Sequence, residues 1–164
     1  MGNTKQYETL VSAGEVIEKT FTNKNTDPVL VSENTIVLSE LAHLRPLLGE
    51  KFYAELKLEH DTGTLTVANA DFMTYYLEDC LSWFVRFEVI NDIMSNISSS
   101  GVVNNIDEFS RIISQDTYNT FKQDTYRKAD IFANDMMDFL NGTDQTGLYP
   151  TYASNRPKRM SDTY

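Results

Sequence analysis

Residues 68–97, ANADFMTYYLEDCLSWFVRFEVINDIMSNI, place Phe72, Tyr76, Trp83, Phe87, Ile90, Met94 and Ile97 at spacings of three, four or seven, with Met73, Leu77, Leu81 and Phe84 widening the stripe. That is the helical period, held for about eight turns. Thr74, Glu78, Ser82 and Arg86 form a polar strip beside it, so the helix is expected to be sheathed over most of its circumference and to keep one wet edge. It reads as the central strut of a small helical fold. Its aromatic load implies that part of the surface is covered by another chain.

Upstream, residues 1–32 show no helical period; EVIEKTF alternates loosely and runs into the turn-rich TNKNTDP, where Pro28 forces Asp27 out of the helical region. An extended arm is expected here, either a strand pair at the domain edge or a flexible terminus. Helical spacing starts near Glu33 with Asn34 as a capable cap, and Ile36, Val37, Leu41, Leu44 and Leu48 follow it. Pro46 should end or kink this helix at Arg45, and a second short helix runs through LLGEKFYAELKLE. His60-Asp61-Thr62-Gly63 is a turn, and Thr66 or Asn69 caps the long helix.

Downstream, Ser and Gly stop the long helix, and the paired β-branched residues Val102-Val103 and Ile112-Ile113 suggest a short strand or hairpin excursion over 101–114. A second long helix then places Tyr118, Phe121, Thr125, Ala129, Phe132, Met136 and Leu140 on one stripe, with Asn119, Gln123, Arg127, Asp130, Asn134 and Asp138 opposite. Asn141-Gly142 supplies a left-handed stop. Residues 143–164 form an extended tail in which Arg156-Pro157-Lys158-Arg159 is interleaved with Tyr149, Tyr152 and Tyr164. The expected architecture is therefore mainly α: a small helical bundle with two long antiparallel helices, two short helices, a short β excursion between the long ones, and extended N- and C-terminal arms. The helical domain spans 33–142.

With 164 residues and a formal charge of −10, one core is expected and a general nucleic-acid binder is not, because phosphate contacts need a concentrated positive face. Cys80 is the single cysteine, so there is no disulfide framework and no thiol metal site. No apolar run reaches the roughly 18 residues that span a bilayer, and no export signal opens the chain. His43 and His60 lack a second ligand at metal-like spacing. Carboxylate pairs such as Glu78-Asp79 or Asp135 with Asp138 arise by chance in an acidic chain. Phosphate-loop, dinucleotide and nucleophile-elbow motifs are absent, so no enzyme, catalytic residue, metal or cofactor is expected.

The order of elements, with LRPLLGEKFYAELK, SSSGVV and a second long helix ending in DFLNG, resembles the head-to-tail connector (adaptor, or head-completion) proteins of tailed bacteriophages. Leu47, Leu48, Gly49, Phe52, Tyr53 and Leu56 are similar to the "YLGPLLYDEL" phrase of that family, and Ser99, Gly101, Val102 and Val103 to its "NKGVV"-like turn. Gly49 follows the leucine pair here, and Ser100 stands where the family carries a basic residue. The resemblance covers about residues 33–141.

It implies a structural virion protein: a ring, commonly of twelve copies, in the phage neck between the capsid portal and the next tail or neck component. DNA would pass through the channel without sequence-specific binding, and the protein would be made in the host bacterial cytoplasm. By the same resemblance the tail faces the portal, with Tyr149, Tyr152, Arg156, Lys158 and Arg159 as the partner-binding residues. Two other classes compete. One is a cytosolic helical protein–protein interaction module, monomeric or dimeric, with no virion role; the other is a small hydrolase or metal-dependent enzyme built from the carboxylates.

Overall fold

Ser12 and Glu15 turn the N-terminal region into a helix. The Ser12 hydroxyl accepts the Glu15 amide at 3.1 Å, and the Glu15 carboxylate accepts the Ser12 amide at 2.8 Å. This reciprocal cap starts α1 (Ala13–Thr20), which buries Val16, Ile17 and Thr20. In the computed structural model, which describes residues 8–100, 115–142 and 147–152, α1 packs along the long helix, and Lys19 pairs with Asp79 at 3.0 Å.

Asp27 is extended and caps a single 3₁₀ turn, Pro28–Leu30, by accepting the Val29 amide at 3.0 Å. Ser32, not Asn34, caps α2 (Glu33–Ser39), accepting the Thr35 amide at 3.2 Å. A π turn, Glu40–Leu44, carries the chain directly into α3 (Arg45–Leu48). Pro46 therefore breaks nothing. In a regular helix its ring would meet the carbonyl four residues back; the π turn, closed by the Arg45 amide on the Glu40 carbonyl, widens the ladder by one residue there. The break comes at Gly49, whose φ of 82° is open to a residue without Cβ. Next, α4 (Glu50–Thr62) runs through the expected turn and closes on left-handed Gly63.

Thr66 caps α5 (Val67–Phe72) by accepting the Asn69 amide at 3.1 Å. A second π turn, Met73–Leu77, joins it without a break to α6 (Glu78–Ser100). The partner helix is α7 (Gln115–Leu140). Descending pairs fix the hairpin as antiparallel: Tyr118 donates to Asn91 at 2.8 Å, Phe87 meets Tyr126 at 5.1 Å, Trp83 stacks on Phe132 at 6.4 Å, and Tyr76 stacks on Phe139 at 4.1 Å. One core unites these elements. Its deepest members include Phe52, Phe72, Leu77, Leu81, Phe84 and Ile90, each worth roughly 1.5–3 kcal/mol of burial.

The expected architecture needs correcting in three places. Among the described residues there are helices, turns and loops but no strand, so no β element stands among them; the excursion assigned to 101–114 lies outside them. Among the described residues of the N-terminal region, Ala13–Thr20 are helical rather than extended, because the Ser12–Glu15 cap starts α1. The short helices before the long hairpin are α2, α3 and α4, with α1 ahead of them, rather than two.

The polar strip of the long helix also fares differently. Ser82 and Arg86 are buried; the Arg86 guanidinium lies between the rings of Phe21, at 4.9 Å, and Phe121, at 5.1 Å. Phe21 follows directly on α1, so the N-terminal region closes what the sequence alone leaves wet. At the other end of the hairpin, α7 stops where Asn141 and Gly142 bond back to Met137 and Phe139. Gly142 does this without a positive φ.

Candidate interaction site

The C-terminal segment is fastened by its tyrosines. Phe52 of α4, Phe72 at the end of α5 and Phe139 of α7 converge, and the Tyr149 ring enters among them with centroid distances of 5.7, 5.7 and 5.8 Å. Only 7% of Tyr149 is exposed, and its hydroxyl donates to the Ala68 carbonyl at 3.2 Å. Burial, with the nearby Asp71 carboxylate, pushes the phenol above its ordinary pKa of 10, so it keeps the proton it donates.

Tyr152 meets Phe52 edge-on at 6.2 Å and donates to the Asn141 side-chain oxygen at 3.0 Å. Between the two tyrosines, Thr151 donates to Glu55 at 2.8 Å. The structure thus brings Tyr149 and Tyr152 together at the root of the tail, with their rings against this chain's own body. Arg156, Lys158 and Arg159 lie outside the described residues.

A second surface was not foreseen. Phe87 of α6 and Tyr126 of α7 floor an open groove of about 570 Å3, rimmed by Asn119, Lys122, Gln123, Arg127 and Asp130. The polar side of α7 was legible in the spacing of Asn119, Gln123, Arg127 and Asp130; that Phe87 would close the groove from α6 was not. One Asp130 oxygen is shielded from solvent with no hydrogen-bond partner among the described residues. Lys122 lies 5.3 Å above the Phe87 ring, and Arg127 pairs with Asp124 at 2.9 Å.

Beside the groove, His43 stacks on Phe84 at 4.5 Å and bonds Glu88 at 2.8 Å. Glu88 is held below its ordinary carboxylate pKa of 4.5, chiefly by that hydrogen bond. Its sign follows. A depressed folded-state pKa adds stability that is complete above the unfolded value and is lost as pH falls through the folded one. Glu88→Gln is expected to remove part of the acid limb of the stability profile, which urea unfolding at a series of pH values between about 3 and 6 would read. An unchanged slope would show the pair to be energetically silent.

Among the described residues no three His, Cys, Asp or Glu side chains converge as metal ligands. Cys80 is fully buried in α6, and desolvation pushes its thiol far above the ordinary value. No helix among the described residues is long and apolar enough to cross a membrane. Comparison with curated proteins finds no match, and comparison with solved structures finds none. A family model does match residues 44–160, from the end of the first π turn through α7 into the cationic tail, and the chain belongs to that family, the family of unknown function DUF6712.

Proposed function

We propose that this chain is a structural virion protein, one protomer of a ring in the neck of a tailed phage that joins the capsid portal to the tail and lets DNA pass. The observation that carries this reading is the fastening of the tail. Tyr149, Thr151 and Tyr152 pin the chain to the helical body shortly before Arg156-Pro157-Lys158-Arg159, so the cationic run leaves from a fixed point. A docking element needs that geometry, and arginine is among the residues that carry interface energy when buried.

Two further features support it. A ring closes by a head-to-tail contact between unlike faces, and the α6–α7 hairpin leaves Trp83 and Phe132 half-covered beside Ile131, which is 51% exposed. A net charge of −10 suits a channel wall that does not retain phosphates. Twelve copies, by resemblance, would sit between the portal and the next neck or tail protein.

The test is the mass of particles formed with the portal protein of the same phage, by light scattering after size exclusion. The portal peak is expected to gain about one copy of this chain per portal subunit. The Arg156→Ala/Lys158→Ala/Arg159→Ala variant is expected to stay behind as a folded free chain. Removing the whole of 143–164 would be a poor test, since Tyr149 belongs to the core; a cut after Tyr152 spares it. A free monomer or dimer beside an unchanged portal peak would overturn the reading. It would favour a helical interaction module without a virion role, for which the groove speaks, with an Asp130 oxygen that has no hydrogen-bond partner among the described residues.

A further inference from the structure

Glu40, the first residue of the π turn, is fully buried. One carboxylate oxygen accepts from Lys57 Nζ at 2.9 Å and from the Tyr53 hydroxyl at 3.0 Å; the other accepts the Leu10 amide at 3.0 Å. The Lys57 ammonium also donates to the Glu8 carbonyl. His60 Nε2 lies 3.2 Å from the Thr9 carbonyl. Three consecutive backbone positions, Glu8, Thr9 and Leu10, are thus fastened by side chains of the π turn and α4, while Leu10 and Val11 tuck beneath with 3% and 1% exposure.

A buried ion pair adds little net stability compared with apolar side chains of the same volume. Here, however, each partner turns one hydrogen-bonding position toward the N-terminal segment. When that segment leaves, Glu40 and Lys57 still satisfy each other, Tyr53 still donates, and water can take the vacated positions. Undocking therefore exposes two apolar side chains without orphaning a charge.

We propose that Glu8–Val11 is a detachable strap and that Glu40 with Lys57 is its latch. The strap undocks as a unit while the helical body stays folded. Its departure removes one wall of a pocket of about 430 Å3, whose other walls include His60, Leu65, Ala70 and Met73.

The chain carries its own control for the test. Cys80 is buried in α6, so its labelling by a thiol reagent reports opening of the body; in full-length Val11→Cys, the new thiol reports opening of the strap. The Val11→Cys thiol is expected to label at least roughly a hundredfold faster than Cys80, because local opening costs less than global opening. Adding Glu40→Leu/Lys57→Met is expected to speed strap labelling by roughly tenfold or more and to leave Cys80 labelling within about threefold. If both thiols speed up together, the pair holds the body and the proposal falls. It falls equally if neither rate moves.

Discussion

Lys57→Met alone is expected to cost about 3–5 kcal/mol of folding stability, the usual penalty for removing one partner of a buried pair. With the strap docked, Glu40 is out of reach of solvent: its side chain is 0% exposed, and that of Lys57 only 10%. With the ammonium gone, the carboxylate keeps the Tyr53 hydroxyl and the Leu10 amide, two neutral donors where a cation stood. Urea unfolding near neutral pH reads the loss as a lower midpoint. Glu40→Leu/Lys57→Met should recover most of it, because the double change leaves no uncompensated charge. A single-variant cost under about 1 kcal/mol would mean that water reaches the pair after all, since that is the range of exposed ion pairs.

Phe72→Ala is expected to cost a similar amount, about 3–5 kcal/mol, from the lost transfer energy and the cavity left behind. Phe72 is fully buried, with Phe52, Tyr149, Phe139 and Tyr76 around it at centroid distances of 5.4, 5.7, 6.2 and 6.4 Å. It joins α5 to α4, to α7 and to the C-terminal segment. The loss should therefore show twice, as a lower unfolding midpoint and as faster proteolytic clipping beyond Asn141, where Tyr149 loses a wall of its socket. Phe72→Leu, which keeps much of the volume, should cost less than about 1.5 kcal/mol. Equal costs for the two variants would show that restoring volume recovers nothing and that the contacts of the ring itself, rather than the cavity, set the loss.

Much of the helical body was legible because periodicity survives in single sequences. The α7 stripe of Thr125, Ala129, Met136 and Leu140 is buried, Thr66 caps α5, and Asp27 is extended ahead of Pro28. What escaped depended on partners distant in the chain. Arg86 looks like a solvent-facing residue until Phe21 and Phe121 close over it. Ser12-Ala13-Gly14-Glu15 carries a capping-box pattern, but the loose alternation through Val16 and Ile17 reads as a strand, since two β-branched residues on a short helix imitate one. Tyr149 and Tyr152 stood out in the sequence only as residues for a partner's surface. That their rings pack into this chain's own body was not legible, since Phe52, Phe72 and Phe139 come from three helices. The groove on α7 failed to announce itself for the same reason, and the Glu40 latch joins residues that share no pattern at all.

The second π turn has a consequence for how the long helix can be altered. Residues four apart drift around an α-helix by about 40° per step, because each residue advances about 100°. Asn69, Met73, Leu77 and Leu81 are four apart and all buried; along a regular helix that row would turn through about 120° from first to last. The wide turn at Met73–Leu77 absorbs the surplus, acting as a phase corrector between the part of the strut that meets the tail and the part that meets α1 and α7. Tyr75, at the middle of this turn, is 68% exposed. Deleting one residue there would preserve the helix and rotate one end against the other, so the length of this turn, more than the identity of any side chain in it, keeps the two halves in register.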